Sequence, residues 1–245
     1  MKKIHTFIFA HDQKIILDYL NNKKFNSLGD VTYVFVGSKD SSQVEKNNNV
    51  IICNKLKYNI ENYPKLTSFT GWYALWKNNL YQQYDYLNLF EYDVNLSDNF
   101  ASSLHTNLDC DVIGYIPFSV HAMNFFKQPK WTKELIDSVS KNYNINSSDF
   151  INSLPKEKMC SVTSNHTFNI KSFEEYMKWI EPMIDDIKIS ELSGHQVERS
   201  ISLFYLLKNL NYKLLPNILH HFQLDSHMTQ GTNGNKFIQH YNKLL

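Results

Sequence analysis

Apolar and polar positions change their spacing repeatedly along the first hundred residues, and each change marks an element. Short apolar, β-prone runs predict strands over residues 4–10, 31–36, 50–53 and 86–90. Apolar residues at helical spacing predict helices over residues 15–25 and 69–79. Strands that alternate with helices in this way predict a parallel sheet with crossover helices. The run at 86–90 is almost wholly apolar, which is typical of a central strand.

The second half continues the alternation with longer polar stretches. The pattern predicts strands over residues 111–116, 161–170 and 212–222, and helices over residues 131–143, 172–184 and 196–210. Ser172 and Glu175 have the spacing of a capping box at a helix start, and the polar residues 144–158 are predicted as a loop. No repeat or linker divides the chain. We therefore predict one α/β domain over residues 1–245, with a mostly parallel central sheet flanked by helices.

Composition excludes several classes of protein. The 245 residues carry 25 Lys and Arg against 24 Asp and Glu, and this balance argues against a dedicated nucleic-acid binder. No apolar run approaches the roughly 20 residues that cross a bilayer, and the basic start precedes no signal-peptide core. We therefore expect a cytoplasmic protein. Cys53, Cys110 and Cys160 lie far apart, which indicates buried free thiols.

The sharpest chemical signal follows the fourth strand, where Glu91 and Asp93 stand two residues apart. An extended backbone would place both carboxylates on one face, at the sheet edge where α/β proteins bind ligands. A divalent cation completed by diphosphate oxygens would relieve the repulsion between them. The alternative is a pair of carboxylates that cap a helix or face water. Glycine-rich dinucleotide and P-loop motifs are absent, as are the zincin and α/β-hydrolase motifs.

This stretch resembles the Asp-x-Asp motif of GT-A glycosyltransferases, with Glu91 in place of the first Asp. Two further stretches resemble bacterial capsular-polysaccharide glycosyltransferases. One is the helix from Leu66 to Asn79, which is similar to their Leu-Thr-x-x-Tyr-x-x-Trp-Lys-Asn stretch. The other runs from Gly194 to Arg199 and resembles a Glu-Arg element that opens a late helix. The chain is also similar to the small GT-A domains of large DNA viruses.

The resemblance implies a single Rossmann-related GT-A domain that transfers a sugar from a UDP- or GDP-sugar to a glycan or other hydroxyl acceptor, with Mn²⁺ or Mg²⁺. The nucleotide-binding half would span about residues 1–100 and the acceptor side about 101–245. Peripheral association with a membrane is compatible with it, and the oligomeric state stays open. The implied donor-binding residues are Phe9, Ala10, His11, Gly37, Thr70, Tyr73, Glu91 and Tyr92.

The implied catalytic and metal-binding residues lie at the fourth strand and late in the chain. Asp93 and Glu91 would hold the metal, with His221 or His227 as a further ligand. Glu198 would act as the general base, and Arg199 would bind phosphate or clamp a carboxylate at a helix start. Arg199 is the single Arg among the 25 basic residues, so we expect Arg199→Lys to lose most activity. A capping Glu beside a structural Arg is the alternative.

Two other functions remain open from the sequence. A nucleotidyltransferase would also use strand-end carboxylates and a divalent cation, but it usually has a glycine-rich or basic phosphate loop after the first strand. A sugar- or nucleotide-binding module without catalysis is the non-enzymatic alternative, and Glu91 in place of Asp is the feature that keeps it open.

Overall fold

The computed structural model of the protein describes residues 2–119, 129–155, 157–161 and 163–221. Its strands are β1 (Ile4–Ala10), β2 (Val31–Phe35), β3 (Val50–Ile52), β4 (Tyr86–Glu91), β5 (Val94–Leu96), β6 (Val112–Gly114), β7 (Pro117–Ser119), β8 (Met159–Ser161), β9 (His166–Asn169), β10 (Tyr212–Leu214) and β11 (Leu219–His221). Its helices are α1 (Gln13–Asn22), α2 (Phe69–Lys77), α3 (Phe100–His105), α4 (Pro129–Tyr143), α5 (Ser147–Ser153), α6 (Ile170–Ile180), α7 (Ile184–Ile187) and α8 (Ser193–Leu207).

Seven of the strands in the described residues form a central sheet in the order β10-β6-β9-β4-β1-β2-β3. Each neighbouring pair is parallel except where β9 lies between β4 and β6, antiparallel to both. The predicted α/β class with a mostly parallel sheet is therefore confirmed. Because β1, β2 and β4 are parallel neighbours, their carboxyl ends meet at one edge. Strand β9 runs the other way and begins at that edge.

The sheet is packed on both faces, which explains why β4 is mostly apolar. Leu87 and Leu89 point into the core on one face, while Tyr86 and Phe90 point into the core on the other. On the first face, Trp72 of α2 is buried at 1% exposure and contacts several aromatic rings edge-on at centroid distances of 5.9–6.5 Å. This packing holds the start of α2 against the carboxyl edge of the sheet.

Several boundaries differ from the sequence prediction. The predicted capping box at Ser172 is wrong: the side chain of Asn169 caps α6 and accepts the Ser172 N–H at 2.7 Å, so the helix begins at Ile170. The run 161–170 divides into the end of β8 and β9, and the run 212–222 contains β10 and β11, which belong to different sheets. Residues 144–158 contain helix α5 rather than only loop.

Two predictions concern single properties of the chain. Cys53, Cys110 and Cys160 are buried free thiols, as the sequence indicated. Of the helices formed by the described residues, none combines the length and apolar character that a bilayer crossing requires. The division into a donor half and an acceptor half stays a prediction.

Candidate active site

A cavity of about 610 Å³ opens where the carboxyl ends of β1, β2 and β4 meet. We call it the strand-edge cavity. Its lining comes from three parts of the fold: the strand ends, the segment before and at the start of α2, and the segment at the start of α8. The lining residues are Phe9, Ala10, His11, Val36, Gly37, Ser38, Lys39, Glu61, Pro64, Lys65, Thr67, Ser68, Thr70, Glu91, Tyr92, Asp93, Glu191, Leu192, Gly194, His195 and Glu198.

The β4 side of the cavity carries the two predicted carboxylates. Glu91 ends β4, its N–H donates to Asn165 Oδ1 at 2.7 Å, and its carboxylate accepts the Ser68 hydroxyl at 3.1 Å. The chain then turns at Tyr92 and Asp93, so the extended backbone that the sequence argument assumed does not continue. Both carboxylates nevertheless line the cavity.

Helix α1 and the residues after it support this turn from behind. The Lys24 ammonium donates to the Tyr19 hydroxyl at 3.0 Å, and that hydroxyl donates to the carbonyl oxygen of Tyr92 at 2.8 Å. Burial and then the Asp93 charge raise the pKa of Tyr19 to about 12. Burial lowers the pKa of Lys24, and Asp93 opposes that shift. Asp93 is only 7% exposed. The positive charge of Lys24 therefore stabilises the charge of Asp93 inside the fold.

The β2 side is different in kind. Gly37 follows β2 with a φ of +93°, a conformation that glycine adopts without strain, and its N–H donates to a carboxylate oxygen of Glu61. Glu61 is largely buried, and burial raises the pKa of its carboxyl while donors at Thr70, Gly37 and Cys53 lower it. Glu61 thus places a largely buried carboxyl group behind the end of β2.

An apolar wall made by Phe9 and Val36 separates the cavity from the core. Helix α2 lies directly on this wall: a Cβ added to Gly71 would be 2.6 Å from Phe9 Cδ1 and 2.9 Å from Val36 Cγ1. Glycine at this position is what allows the helix start to approach the strands. The approach places Thr70, the next residue back along the helix, in the cavity lining.

The start of α8 forms the remaining wall. A Cβ on Gly194 would lie 2.9 Å from the Lys65 carbonyl oxygen, so only glycine lets α8 approach the segment before α2 this closely. His195 Nδ1 and Glu198 Oε2 are 3.3 Å apart in the cavity lining. Arg199 lies outside the lining, and its guanidinium donates to the His195 carbonyl oxygen at 2.9 Å. Burial lowers the pKa of Arg199, and the Glu198 charge opposes that change.

Most of the residues that the sequence singled out share this cavity: Phe9, Ala10, His11, Gly37, Thr70, Glu91, Tyr92, Asp93 and Glu198. Tyr73 instead packs half-buried against Trp76, at a ring-centroid distance of 6.0 Å. His221 ends β11, and the structure describes its backbone only. His227 lies outside the described residues.

The lining also contains residues to which the sequence prediction gave no role, among them Lys39, Glu61, Lys65, Ser68 and His195. Glu61 belongs to no motif in the sequence, whereas Ser68 lies within the Leu66–Asn79 stretch and could have been considered from that position. His195 adjoins the Glu-Arg element and could have been considered from that position alone.

Negative charge dominates the lining. Five carboxyl side chains line the strand-edge cavity (Glu61, Glu91, Asp93, Glu191 and Glu198) against two lysines, Lys39 and Lys65. Lys65 is paired with Glu191 at 2.6 Å. A ligand with its own negative charge would therefore be repelled unless a cation accompanied it.

The donor set has the chemistry of a hard divalent cation that is shared with a ligand. No three His, Cys, Asp or Glu side chains within the described residues are arranged to hold a metal ion alone. Mg²⁺, however, is commonly bound by one or two carboxylates together with substrate phosphates and water. Glu91 and Asp93 fit that kind of site, because both line the same cavity.

Comparison with known proteins identifies the fold but not a family. Neither a family model nor a curated protein matches the sequence. The chain is similar to the apo structure of the bifunctional glycosyltransferase WbbM, with a TM-score of 0.62 and 14% identity over 89% of this chain and 45% of that one. The chain thus spans less than half of that protein.

A second structure is the galactosyltransferase LgtC in complex with donor and acceptor sugar analogs, with a TM-score of 0.43 and 11% identity over 86% of this chain and 72% of that one. This likeness is too low to carry an argument. The likeness to WbbM shows the GT-A-type glycosyltransferase fold, as the sequence resemblance predicted. The similarity to viral domains stays a prediction.

Proposed function

We propose that the protein is a glycosyltransferase that moves a sugar from a UDP- or GDP-sugar to a hydroxyl group of a glycan acceptor, with Mn²⁺ or Mg²⁺. One observation carries the proposal. In a GT-A-type fold, the Glu91 and Asp93 carboxylates line the same cavity as the ends of β1 and β2. Ligands of open α/β sheets bind at this edge.

The nucleoside would occupy the β1 and β2 side of the cavity. Phe9 and Val36 offer an apolar wall for a base, and Gly37 permits close approach of the backbone to the ligand. Ala10 and His11 continue the same edge, and the His11 ring contacts the Tyr92 ring edge-on at 5.2 Å. Tyr92 and Thr70 complete this side, whereas Tyr73 would act through the packing of α2.

The diphosphate would lie on the β4 side. Asp93 and Glu91 would hold the divalent cation, and a histidine of the later chain, His221 or His227, could complete its ligands. When bound there, the cation would neutralise charge on the departing nucleoside diphosphate. The negative balance of the cavity supports this assignment, because the described lining alone would repel a diphosphate.

Glu198 would accept the proton of the acceptor hydroxyl. His195 Nδ1 lies 3.3 Å from the Glu198 carboxylate and orients it within the cavity. Arg199 holds the His195 carbonyl oxygen and would therefore position this pair rather than contact the donor. For the role as a phosphate ligand that its place at a helix start suggested, its guanidinium would have to leave the His195 carbonyl oxygen and reach the cavity.

A thermal-shift screen of nucleoside diphosphates, nucleotide sugars and nucleoside triphosphates, with and without Mn²⁺, tests the proposal. We expect stabilisation by a nucleoside diphosphate that requires Mn²⁺ and is lost in Asp93→Ala. Stabilisation by triphosphates alone would favour a nucleotidyltransferase, and no response to any nucleotide would contradict both enzymes. Metal-dependent binding without turnover of any sugar donor would indicate a binding module.

A further inference from the structure

Glu61 is a buried carboxylate at the strand-edge cavity, and no sequence motif predicts it there. It lies in the segment between β3 and α2, only 7% of the residue is exposed, and it lines the strand-edge cavity. One carboxylate oxygen, Oε2, accepts the Gly37 N–H. The other, Oε1, is buried and has no hydrogen-bond partner of normal geometry among the described residues.

The side-chain neighbours of the Glu61 carboxyl, Thr70 and Cys53, do not supply a strong donor to Oε1. The Thr70 hydroxyl already donates to the carbonyl oxygen of Thr67 at 3.0 Å. The other polar neighbour, the buried Cys53 thiol, is a weak donor. A buried carboxylate oxygen without a donor is costly in a folded protein, and a partner from outside the chain, such as a ligand, can supply the missing contact.

The position of Glu61 along the sheet edge indicates which part of a ligand it faces. Its partner Gly37 follows β2, whereas Glu91 and Asp93 follow β4, and β1 lies between the two strands. Neighbouring strands are about 4.8 Å apart, so the two sides of the cavity are separated by roughly 10 Å. A ligand with its phosphates at β4 would therefore place its nucleoside beside Glu61.

We propose that Glu61 selects the nucleoside of the donor by accepting a hydrogen bond from a ribose hydroxyl or from a base N–H through Oε1. The inference rests on the proposed function and names the residue that gives it specificity. A carboxylate oxygen accepts hydrogen bonds and cannot donate them. A nucleoside that presents an acceptor, or no polar group, to Oε1 would therefore leave this charged oxygen buried without a hydrogen bond. Sites that lose such a contact discriminate strongly against the wrong ligand.

Substitution by Gln gives a sharp test because the Gly37 N–H fixes the orientation of the new side chain. An oxygen must face that N–H, so Glu61→Gln would turn its NH₂ group toward the ligand and present a donor where an acceptor is needed. Glu61→Asp would keep the charge but withdraw it by one methylene. Both variants therefore remove the proposed contact through different changes.

The experiment measures dissociation constants by calorimetry in Mn²⁺ for UDP, GDP and their 2′-deoxy and 3′-deoxy forms. We expect the wild-type protein to reject at least one of these ligands by about tenfold or more, and Glu61→Gln to lose that preference. If Glu61→Gln no longer distinguishes a nucleotide from its deoxy form, the contact is to the ribose. If the variant no longer distinguishes UDP from GDP, the contact is to the base.

Glu191→Gln is the matched control. It removes one carboxylate charge from the rim of the same cavity, so all affinities should shift together and the preference should remain. Thermal unfolding shows whether each variant is folded, and Glu61→Asp replaces Glu61→Gln if the latter is not. A wild-type preference that survives in the folded Glu61 variants overturns the inference while the proposed function stands. Failure of the wild-type protein to bind any nucleotide overturns both.

Discussion

The β4 side and the β2 side of the strand-edge cavity are both built at the ends of parallel strands, yet they handle negative charge differently. On the β4 side, Glu91 and Asp93 both line the cavity, where a cation would relieve the repulsion between their charges. On the β2 side, Glu61 is a single buried carboxyl held by one backbone N–H. Under the proposed function, the β4 side binds the charged part of the donor and the β2 side accepts hydrogen bonds from it, so the two sides should respond to different substitutions.

The largest expected effect is on the β4 side. In Asp93→Asn, the dissociation constant of a nucleoside diphosphate in Mn²⁺ should rise by roughly 100-fold, about 2.7 kcal/mol, because the cation loses a charged ligand. Glu61→Gln should leave the dependence on Mn²⁺ intact. Calorimetric titrations with Mn²⁺ or EDTA measure both variants. If Asp93→Asn and Glu61→Gln lost the dependence on Mn²⁺ equally, the two sides of the cavity would not have different roles.

Gly71→Ala tests the β2 side through packing rather than charge. The added Cβ would lie 2.6 Å from Phe9 Cδ1, so the wall must shift, and we expect a loss of about 1–3 kcal/mol in the free energy of unfolding together with weaker nucleoside binding. Denaturant titration and calorimetry measure the two effects.

The control for this substitution is Gly29→Ala, in a turn away from the cavity. Gly29 has a φ of +79° and open space around its Cα, so alanine there costs backbone strain alone. It should lower stability without changing nucleotide affinity. If Gly71→Ala also left affinity unchanged, the Phe9 and Val36 wall would not contact the nucleoside.

Acid should lower the stability of the protein through a buried histidine of the core, which does not line the cavity. His166 begins β9 next to Asn165, is fully buried, and has a pKa lowered to about 3 by burial. In the unfolded chain it binds a proton below about pH 6.5, so the folded state binds fewer protons and stability falls as the pH falls. The slope is about 1.4 kcal/mol per pH unit, or roughly 2 kcal/mol between pH 6.5 and 5.

Unfolding titrations of wild-type protein and His166→Leu at several pH values measure this slope. The variant should show a shallower dependence on pH in this range. His5 adds a second contribution of the same sign, since burial lowers its pKa to about 4. An identical slope in wild type and His166→Leu would mean that His166 gains a proton in the folded state and is not held neutral by the core.

The strand-edge elements could be predicted because their information is local. The apolar run of β4 and the carboxylates after it stand together in the sequence, and the fold then brings them to one edge with β1 and β2. The direction of β9 could not be predicted, since antiparallel pairing is decided by distant strands. Asn169 replaced the Ser172 cap because the strand ends one residue before the helix. Glu61 has no pattern, and only the fold brings it to Gly37.

Arg199→Lys should have the smallest effect, in contrast to the expectation from the sequence. Arg199 contacts the His195 carbonyl oxygen rather than the cavity. Lysine can donate one hydrogen bond to that oxygen, so we expect the transfer rate to fall by less than about tenfold. Steady-state rates of the two proteins provide the test. A loss of most activity with unchanged thermal stability would instead support direct contact between Arg199 and the donor.

The central claim is tested most directly by the release of nucleoside diphosphate from UDP- and GDP-sugars, in Mn²⁺ or EDTA, for wild-type protein and Asp93→Asn. The account predicts release from one class of donor that requires the metal and falls by about 100-fold in the variant. No release from any donor, or equal release by Asp93→Asn, would contradict it.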